Sequence, residues 1–359
     1  MQLKPVGEQV VVVMGASSGI GREVGLRFAR RGAKVVVSAR SEEGLRSLVD
    51  EIEREGGEAT AIAADVAEFD RVKAVADKAA ETYGRFDTWV HLPGVSVFGL
   101  FEEIEPEEFK RVIEVDLLGQ VYGAMAALPH LKREGRGALV HVSSVLAKRS
   151  VPLQSPYCAA KHGIDGFLES LRVELKHEGW PIGVTNVMPA SINTPFFDKA
   201  RTKLGVKPKA VPPFYEPGVV ADVILYAAEK APRDIVAGGA GKGMILTQRI
   251  SPGLMDAILL RRGFESQRTE EPKSQDAPDA LFGPMEGQDR AEGDFHGQSF
   301  SKSYSTWLDM HPAVKRGVVV GGALAALAVL RAISRVARSG PGSQHHQSHL
   351  FNVKAKGRG

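Results

Sequence analysis

Seven short apolar runs, separated by helical patterns, constrain the fold of this 359-residue chain more than any other feature. They lie between Gln9 and about Gly238, and several are continuous in valine and isoleucine rather than alternating with polar residues. Continuous apolar runs are typical of strands buried on both faces, as in a parallel sheet covered by helices. The alternation of strand and helix therefore predicts a doubly wound α/β fold. The seven predicted strands are Val10–Met14, Lys34–Ala39, Ala59–Ala63, Thr88–Leu92, Ala138–Val142, Gly183–Val187 and Asp234–Gly238.

Charge and cysteine content exclude several classes of protein. The formal net charge is +3, and Lys and Arg are scattered through most of the chain. A nucleic-acid-binding protein would cluster them on one surface, so we expect no nucleic-acid partner. The single cysteine, Cys158, excludes an internal disulfide and a cysteine-rich metal site, and we expect no metal. Met1–Gln9 has neither a signal-peptide core nor an Arg-rich amphipathic pattern, so we expect a cytoplasmic protein.

The C-terminal third of the chain has a different character. Met244–Arg262 has the pattern of one further helix, which ends a folded domain at residues 1–265. Residues 266–311 are rich in Gly, Pro, Ser, Gln and acidic residues and poor in apolar ones, which predicts a disordered linker. Residues 312–338 predict an apolar helix, and the polar, basic, Gly-rich residues 339–359 predict a disordered tail.

The apolar helix contains an unbroken run, Gly317–Leu330, between basic residues. Such a run spans roughly 21 Å as a helix, whereas a membrane-spanning helix needs about 17 to 20 residues. Including Ala332 and Ile333, with Arg331 reaching back to the interface, extends it to residues 317–333. Three interpretations stay open: a short membrane span, an interfacial anchor, or a helix buried in a partner. With either of the first two, the cytoplasmic protein would be anchored to a membrane by this helix.

A glycine-rich segment, Gly15–Gly21, directly follows the first predicted strand and opens a helical pattern. Gly15 permits a tight turn, Gly19 lets the backbone approach a pyrophosphate, and Gly21 lets the helix pack closely on the strand. The amino-terminal end of the helix offers unpaired N–H groups and a favourable dipole to phosphates. This context predicts dinucleotide binding.

The end of the second predicted strand bears on which dinucleotide is bound. No acid follows it until Glu42, and Arg40 offers a planar cation suited to a 2′-phosphate. Arg22 could assist, although both arginines could equally be solvated surface residues. We expect NADP(H) to be preferred, with NAD(H) as the alternative. Asp65, after the third strand, is placed to accept from the adenine amine, or is an ordinary loop acid.

Tyr157 and Lys161 carry the strongest chemical pattern. Four residues apart on a predicted helix, they share one face. A nearby ammonium favours phenolate and lowers the pKa of a tyrosine, which is otherwise a poor base at neutral pH. Ser144 follows the strand Ala138–Val142, where it could hold a substrate oxygen against the phenol. By itself such a Tyr–Lys pair is usually a surface pair, and Ser144 could be a turn-capping hydroxyl.

Together, Gly15–Gly21, Ser144, Tyr157 and Lys161 resemble the short-chain dehydrogenase/reductase family over about residues 8 to 240. The resemblance implies a Rossmann-type, seven-stranded parallel sheet. It implies that Tyr157 is the general acid/base, that Lys161 binds the nicotinamide ribose and tunes Tyr157, and that Ser144 stabilises the substrate. The cofactor-binding residues expected from these considerations are Gly15, Ser17, Ser18, Gly19, Ile20, Gly21, Arg22, Arg40, Asp65, Val66, Gly94, Tyr157, Lys161, Pro189, Ile192 and Thr194.

The sequence departs from the family pattern at several positions. Met14 stands where threonine is frequent, and Ala190 stands where glycine is usual. The Asn-Asn-Ala-Gly motif is replaced by His91–Gly94, in which only the glycine is kept. Asp116 occupies the position of the catalytic asparagine, which in the family helps hold a water in a proton relay. An aspartate can support that relay, pair with Lys161 and weaken its effect on Tyr157, or merely pack beside the site.

Apolar residues dominate the expected substrate side, which favours a hydrophobic ketone, aldehyde or secondary alcohol over a phosphorylated sugar. In the family, the region corresponding to Pro195–Tyr215 forms a lid over the substrate. Half of the wall residues could equally belong to the core. The expected walls are Val95–Phe98, Leu146, Val151–Leu153, Ala190, Phe196 and Phe197.

Three functions from different classes fit these observations. The leading hypothesis is an NADP(H)-dependent oxidoreductase that acts on a small hydrophobic molecule. A cofactor-binding regulator with little turnover is the second, because of Asp116 and the altered His91–Gly94 motif. A membrane-tethered scaffold is the third. The family resemblance also implies a homo-oligomer formed through the helical stretches Glu107–Leu131 and Pro156–Glu178.

Overall fold

The computed structural model describes residues 3–338, which fall into two units divided after Met310. The first unit is built on a seven-stranded, entirely parallel sheet with the strand order β7-β6-β5-β4-β1-β2-β3. The predicted doubly wound sheet is confirmed, and each predicted strand lies within two residues of an observed one. The strands are β1 (Val10–Met14), β2 (Lys34–Ala39), β3 (Glu58–Ala63), β4 (Thr88–His91), β5 (Gly137–Val142), β6 (Ile182–Pro189) and β7 (Asp234–Ala237).

Helices cover both faces of the sheet, as a parallel sheet requires. A π-helical turn, Glu114–Leu118, joins the fourth and fifth helices into one rod. The helices are α1 (Gly19–Arg30), α2 (Glu42–Arg54), α3 (Phe69–Tyr83), α4 (Pro106–Ile113), α5 (Gly119–Arg133), α6 (Ser155–His177), α7 (Phe196–Lys199), α8 (Pro217–Lys230), α9 (Gly239–Ile250), α10 (Pro252–Arg262), α11 (Tyr304–Met310) and α12 (Pro312–Arg338).

The alternation of side chains along β1 divides the core into two layers. Val11 and Val13 pack with α1, α2 and α8 on one face of the sheet. Val10, Val12 and Met14 pack with α3, α5 and α6 on the other face. All five side chains are buried, which explains why this strand reads as a continuous apolar run.

The predicted helix Met244–Arg262 is instead two helices, α9 and α10. Proline at position 252 disfavours a helical conformation at the preceding residue, and Ser251 adopts φ −147° and ψ 85°. The chain bends there, so that α9 contacts β7 and α10 packs against α9. Their inner face buries Met255 and Leu259 beside Val151 and Cys158.

The structure differs from the prediction of a disordered linker over residues 266–311. We call residues 268–300 the C-terminal strap. Its first part, Arg268–Pro272, pairs antiparallel with Val206–Pro208, and its last part, Ser299–Phe300, pairs parallel with Phe214–Tyr215. The strap has few apolar residues, but backbone pairing and ion pairs hold it against the rest of the first unit.

Two kinds of contact fix the middle of the strap. The Phe295 ring stacks on the Phe214 ring, with centroids 4.3 Å apart, and Leu281 is only 1% exposed. Ion pairs join Asp279 to Arg201 at 2.7 Å and Asp294 to Lys207 at 2.7 Å. The basic partners of these acids lie between α7 and α8, outside the strap. The amino-acid composition of the strap alone therefore does not predict these ion pairs.

The second described unit contains α12. Its residues Pro312–Arg331 have a mean hydropathy of 1.8, and none of the side chains described in that window is buried. By length and composition this helix is able to cross a membrane. The α4–α5 rod, Pro106–Arg133, passes the same test with a hydropathy of 1.2, but half of its window is buried and it is a core element. The tail predicted to be disordered, residues 339–359, lies outside the described residues.

Candidate active site

A cavity of about 490 Å³ opens where the strand order reverses, at the carboxyl ends of β1, β4, β5 and β6. Ligands of doubly wound proteins bind at this switch point. One half of the cavity is lined by the glycine-rich turn between β1 and α1, and the other half is mainly apolar. Tyr157 lies in the same cavity.

The glycine-rich turn requires glycine at the three positions that the sequence identified. Gly15 and Gly19 have φ values of +81° and +59°, which side chains disfavour. A Cβ on Gly15 would lie 2.9 Å from the backbone nitrogen of Pro93, and a Cβ on Gly21 would lie 2.1 Å from the Gly15 carbonyl oxygen. The turn thus brings bare backbone and the start of α1 to the cavity wall. This cradle fits a dinucleotide phosphate.

Most of the expected cofactor-binding residues lie together on the cavity wall. Two do not line it: Arg22 pairs with Glu51 at 2.6 Å, and Asp65 pairs with Arg111. Those that line it are Gly15, Ser17, Ser18, Gly19, Ile20, Gly21, Arg40, Val66, Gly94, Tyr157, Lys161, Pro189, Ile192 and Thr194.

The side chain of Arg40 reaches the cavity from the end of β2 and is held by the strap. Its Nη2 donates to the Ala280 carbonyl at 2.6 Å, and its Nη1 lies 3.4 Å from the Leu281 carbonyl. Arg111 donates to the same Leu281 carbonyl at 3.1 Å. The strap therefore forms the outer wall beside the end of β2. Its cavity-lining residues are Ala280, Pro284 and Met285.

Ser144, Tyr157 and Lys161 converge on the cavity from two elements. Ser144 follows β5 and caps a short 3₁₀ turn, where its Oγ accepts from the Leu146 N–H at 3.1 Å. Tyr157 and Lys161 are one turn apart near the start of α6, and the Lys161 Nζ lies 5.0 Å from the centre of the Tyr157 ring. The Phe196 ring meets the Tyr157 ring edge-on at 5.8 Å.

Burial dominates the acidity of the phenol. It raises the pKa of Tyr157 above the usual value, and the charge of Asp116 raises it further. A hydrogen bond with Ser144 acts in the opposite direction and lowers the pKa. In the protein alone, Tyr157 is therefore a proton donor at neutral pH, and its conversion to a base requires additional positive charge nearby.

Asp116 lies beneath the cavity wall, in the π-helical turn between α4 and α5. Its Oδ1 accepts from the Val95 N–H at 2.7 Å, and its Oδ2 lies 3.4 Å from the Lys161 Nζ. The side chain is buried, and burial raises the pKa of Asp116 to about 6, although the Lys161 ammonium opposes this shift. Of the three arrangements left open by the sequence, the structure shows Asp116 paired with Lys161.

The apolar half of the cavity includes most of the expected substrate walls. Val95, Ser96, Leu146, Val151, Ala190, Phe196 and Phe197 line it, whereas Val97, Phe98, Pro152 and Leu153 do not. A further wall comes from the loop before Phe214, which lies in the expected lid region Pro195–Tyr215, and from α9 and α10, which the sequence did not identify as walls. Its apolar side chains are Val211, Pro212, Pro213, Met244, Met255, Ile258 and Leu259.

Sequence reasoning also missed Lys199. This residue ends the short helix α7 and lines the cavity on the side of the glycine-rich turn. Its Nζ donates to the Ser18 Oγ at 2.7 Å. Its position depends on the fold of the Pro195–Tyr215 region, which has no strong periodicity. A lysine shortly after Thr194 was the only available indication.

Comparison with known proteins identifies the family. The family model for short chain dehydrogenase matches residues 9–205, more than half of the chain. An uncharacterized oxidoreductase of Bacillus subtilis, YxnA, is 37% identical over 323 residues. The matched region covers 89% of this chain and 90% of YxnA. That similarity therefore continues well past residue 205, into the C-terminal region.

Other relatives are named for oxidoreductase activity. Dehydrogenase/reductase SDR family member 7B of Bos taurus is 30% identical, covering 74% of this chain and 84% of its own length. A solved alcohol dehydrogenase from the archaeon Thermococcus sibiricus, complexed with 5-hydroxy-NADP, is 26% identical, with a TM-score of 0.56. That match covers 64% of this chain and 95% of the archaeal one. This chain belongs to the short-chain dehydrogenase/reductase family and is an NAD(P)-dependent oxidoreductase.

Proposed function

We propose that this protein is an NADP(H)-dependent oxidoreductase that interconverts a hydrophobic ketone or aldehyde and the corresponding alcohol. One observation carries the proposal: Tyr157, Lys161 and Ser144 line the same cavity as the glycine-rich turn and a set of apolar side chains. A substrate oxygen bound beside Tyr157 would lie next to a proton donor, in the cavity that would hold the nicotinamide.

The proposed chemistry assigns a distinct role to each side chain. When bound, nicotinamide supplies or accepts the hydride. In the reductive direction, Tyr157 donates its phenolic proton to the carbonyl oxygen as the carbon is reduced, and in the oxidative direction its phenolate takes the proton back. Ser144 hydrogen-bonds the same oxygen and orients it. Lys161 stabilises the phenolate through its positive charge.

Preference for NADP(H) is supported by charge at the end of β2. Arg40 lines the cavity there, and Glu42, the first acid after the strand, begins α2. A carboxylate on the cavity wall would repel a 2′-phosphate, whereas a guanidinium would bind it. The archaeal neighbour described with 5-hydroxy-NADP supports the same choice.

The substrate class follows from the apolar half of the cavity. Phenylalanine, methionine, leucine and proline side chains dominate its lining. Burial of apolar substrate surface against them is the main source of affinity in such pockets, so an uncharged, hydrophobic carbonyl compound fits best.

The test is a substrate screen with wild type and the variant Tyr157→Phe. We expect the variant to lose roughly 10²- to 10⁴-fold in turnover, the usual contribution of a general acid/base. It should keep its affinity for NADPH, measured by nicotinamide fluorescence. Tyr304→Phe, at a residue 82% exposed, is the matched control and should behave as wild type. Turnover retained by Tyr157→Phe would contradict the proposed role.

A cofactor-binding regulator is the alternative that a specific observation favours. Asp116 pairs with Lys161 and raises the pKa of Tyr157, which makes the phenolate harder to form. Tight NADPH binding by wild type, without turnover of any ketone, aldehyde or alcohol in the screen, would support this function over the enzyme.

We further propose that α12 contacts a membrane through residues 317–333. The support is its length and its mean hydropathy of 1.8 over Pro312–Arg331. Flotation of the full chain with phospholipid vesicles, compared with a chain ending at Met310, tests the contact. Vesicle binding by the full chain alone is expected. If neither chain floats, both the membrane contact and the scaffold hypothesis fail.

We also propose a homo-oligomer formed through α5 and α6. Both helices expose a large apolar side chain, Met125 at 55% and Val173 at 64%. Light scattering after size exclusion should give a dimer or larger species. Val173→Glu is expected to shift it toward the monomer, and a wild-type monomer would contradict this proposal.

A further inference from the structure

Lys199 is a cation on the cavity wall. It belongs neither to the glycine-rich motif nor to the Tyr157–Lys161 pair, so the proposed function assigns it no role. It comes from the chain after β6 and lies beside the start of α2, where it shares a crevice wall with Glu43 and Gly44. Its ammonium group donates to the hydroxyl of Ser18, the residue that precedes α1. Lys199 is therefore directed at the phosphate-binding turn rather than at solvent.

The charges around Lys199 leave its ammonium without a direct counter-ion. Within residues 3–338, no carboxylate oxygen lies within 4 Å of its Nζ. The nearby acid Asp198 is already paired with Lys207 and, at 3.1 Å, with Arg290. Asp289 acts only at longer range, and Arg40 repels the ammonium. A half-buried cation in this environment is stabilised by an anionic ligand.

The place of that anion is indicated by the main cavity, where Lys199 lines the wall together with Ser17 and Ser41, at the phosphate turn and just after β2. The smaller crevice behind this wall also holds the carboxylates of Glu43 and Asp289. Arg40 precedes Ser41 and approaches the cavity from the same strand end. The 2′ position of a dinucleotide lies near the end of β2 in this type of fold, beside Arg40, and Lys199 lines the same cavity.

We propose that Lys199 is a second cation for the adenosine 2′-phosphate and that, with Arg40, it sets the preference for NADP(H) over NAD(H). This inference rests on the proposed NADP(H)-dependent function. Without a 2′-phosphate, Arg40 repels the Lys199 ammonium, and among the described residues only more distant carboxylates, chiefly Asp289 for Lys199 and Asp65 for Arg40, offset the two positive charges. With one, both cations have a counter-ion, so the selectivity arises from relief of repulsion as well as from new contacts.

The strap positions both cations. The carbonyls of Ala280 and Leu281 hold the guanidinium of Arg40. Further along, the Arg290 carbonyl accepts from the Gly19 N–H at 2.9 Å, and the Arg290 side chain binds Asp198, next to Lys199. A segment that sequence composition assigned to a linker thus supports the proposed 2′-phosphate site.

The test compares the dissociation constants of NADPH and NADH, measured by fluorescence at pH 7, for wild type and Lys199→Met. We expect NADPH binding to weaken roughly 10- to 30-fold, as for loss of a hydrogen bond to a charged group, and NADH binding to weaken less than about threefold. Lys203→Met is the matched control: it removes the same charge four residues away, where the lysine pairs with Glu108 at 3.0 Å. Lys199→Arg should retain most of the discrimination.

The outcomes separate the two levels of proposal. If wild type prefers NADPH but Lys199→Met keeps the same NADPH-to-NADH ratio, the role of Lys199 is overturned while the proposed function stands. Equal weakening for both cofactors also overturns it, because the lysine would then bind a phosphate common to both. If wild type binds NADH more tightly, the NADP(H) preference itself fails.

A pH series supplies a readout that a structural role would not move. Burial lowers the pKa of Lys199 to about 8; its charged neighbours are Asp289, Arg40, Asp198 and Arg290, and Glu43 of α2 lines the crevice beside it. The ammonium is lost as the pH rises through that value, so the NADPH preference of wild type should fall between pH 7 and 9. The ratio for Lys199→Met should not show this decline. A parallel decline in both proteins would overturn the assignment.

Discussion

The two walls of the cofactor cavity are built in different ways. The inner wall consists of strand ends and the glycine-rich turn, which the buried seven-stranded sheet holds in place. The outer wall consists of Lys199 and the strap, which are held by short two- and three-stranded pairings, ion pairs and backbone carbonyls. The inner wall is specified by local sequence, and the outer wall by contacts between distant segments.

This difference has an energetic counterpart. Side chains on β1 are fully removed from water, so moving that strand would expose a large apolar area. The strap buries little apolar surface apart from Ala280, Leu281 and partly Phe295. Elements with few buried apolar contacts open at lower free energy than core strands. We therefore expect changes to the inner wall to affect cofactor binding more than changes to the strap.

The largest effect is expected from Gly19→Ala. A Cβ at this position would lie 3.3 Å from the Thr194 Cβ, and φ is +59°, so the substitution crowds the phosphate turn. NADPH binding should weaken by roughly 100-fold, about 2.7 kcal/mol, in a fluorescence titration.

Gly25→Ala is the matched control on the same helix. A Cβ there meets the Leu48 Cδ2 at an ordinary 3.4 Å, and alanine favours helix. It should bind NADPH as wild type does and be slightly more stable. Equal affinities for the two variants would show that the turn does not approach the phosphates closely.

A smaller effect is expected from Leu281→Ala in the strap. Leu281 is 1% exposed, and its truncation should loosen the packing that holds the strap carbonyls against the Arg40 guanidinium. The affinity for NADPH should fall roughly 5- to 10-fold, about 1 to 1.4 kcal/mol, with a smaller change for NADH.

The neighbouring Phe282→Ala provides the comparison, because Phe282 is 52% exposed and lies over the guanidinium of Arg201, whose ion pairs with Glu108 and Asp279 do not depend on the ring. It should leave both affinities unchanged. If Leu281→Ala weakened NADPH binding as much as Gly19→Ala, the strap would contribute as much to cofactor affinity as the glycine-rich turn. The proposed difference between the two walls would then be wrong.

Local periodicity explains what the sequence could predict. β1 and β2 are recognisable because residues buried on both faces must be apolar, and the glycines because only they fit the turn. The break at Pro252 could have been predicted from the proline itself. The strap could not, because its ordering depends on partners such as Arg201 and Lys207. A composition rule for disorder counts apolar residues within a segment and ignores contacts made elsewhere.

The same reasoning applies within the site. Tyr157 and Lys161 are neighbours on one helix, so their proximity follows from spacing alone. Arg22 and Asp65 stand at plausible positions, but Glu51 and Arg111 engage them, and the sequence holds no indication of those pairings. Lys199 and Ser18 are 181 residues apart and meet only through the fold.

The smallest effect is expected from Asp116→Asn, which alters the charge beneath the inner wall without changing its shape. Asparagine can still accept from the Val95 N–H but carries no charge. Because the Asp116 charge raises the pKa of Tyr157, its removal should lower that pKa. Alcohol oxidation requires the phenolate, so the rise of kcat/KM with pH should move to lower pH by about half a unit, roughly 0.7 kcal/mol.

The pH range of this difference is also defined. Burial raises the pKa of Asp116 to about 6, so the wild-type carboxyl becomes neutral as the pH falls below that value. Wild type and Asp116→Asn should therefore converge below pH 6 and diverge above it. Asp77→Asn removes a surface carboxylate that pairs with Lys73, and it should reproduce the wild-type profile. If the two profiles coincided above pH 6, Lys161 would fully compensate the charge of Asp116. The pKa of Tyr157 would then be set by the residues of the cavity wall and not by Asp116.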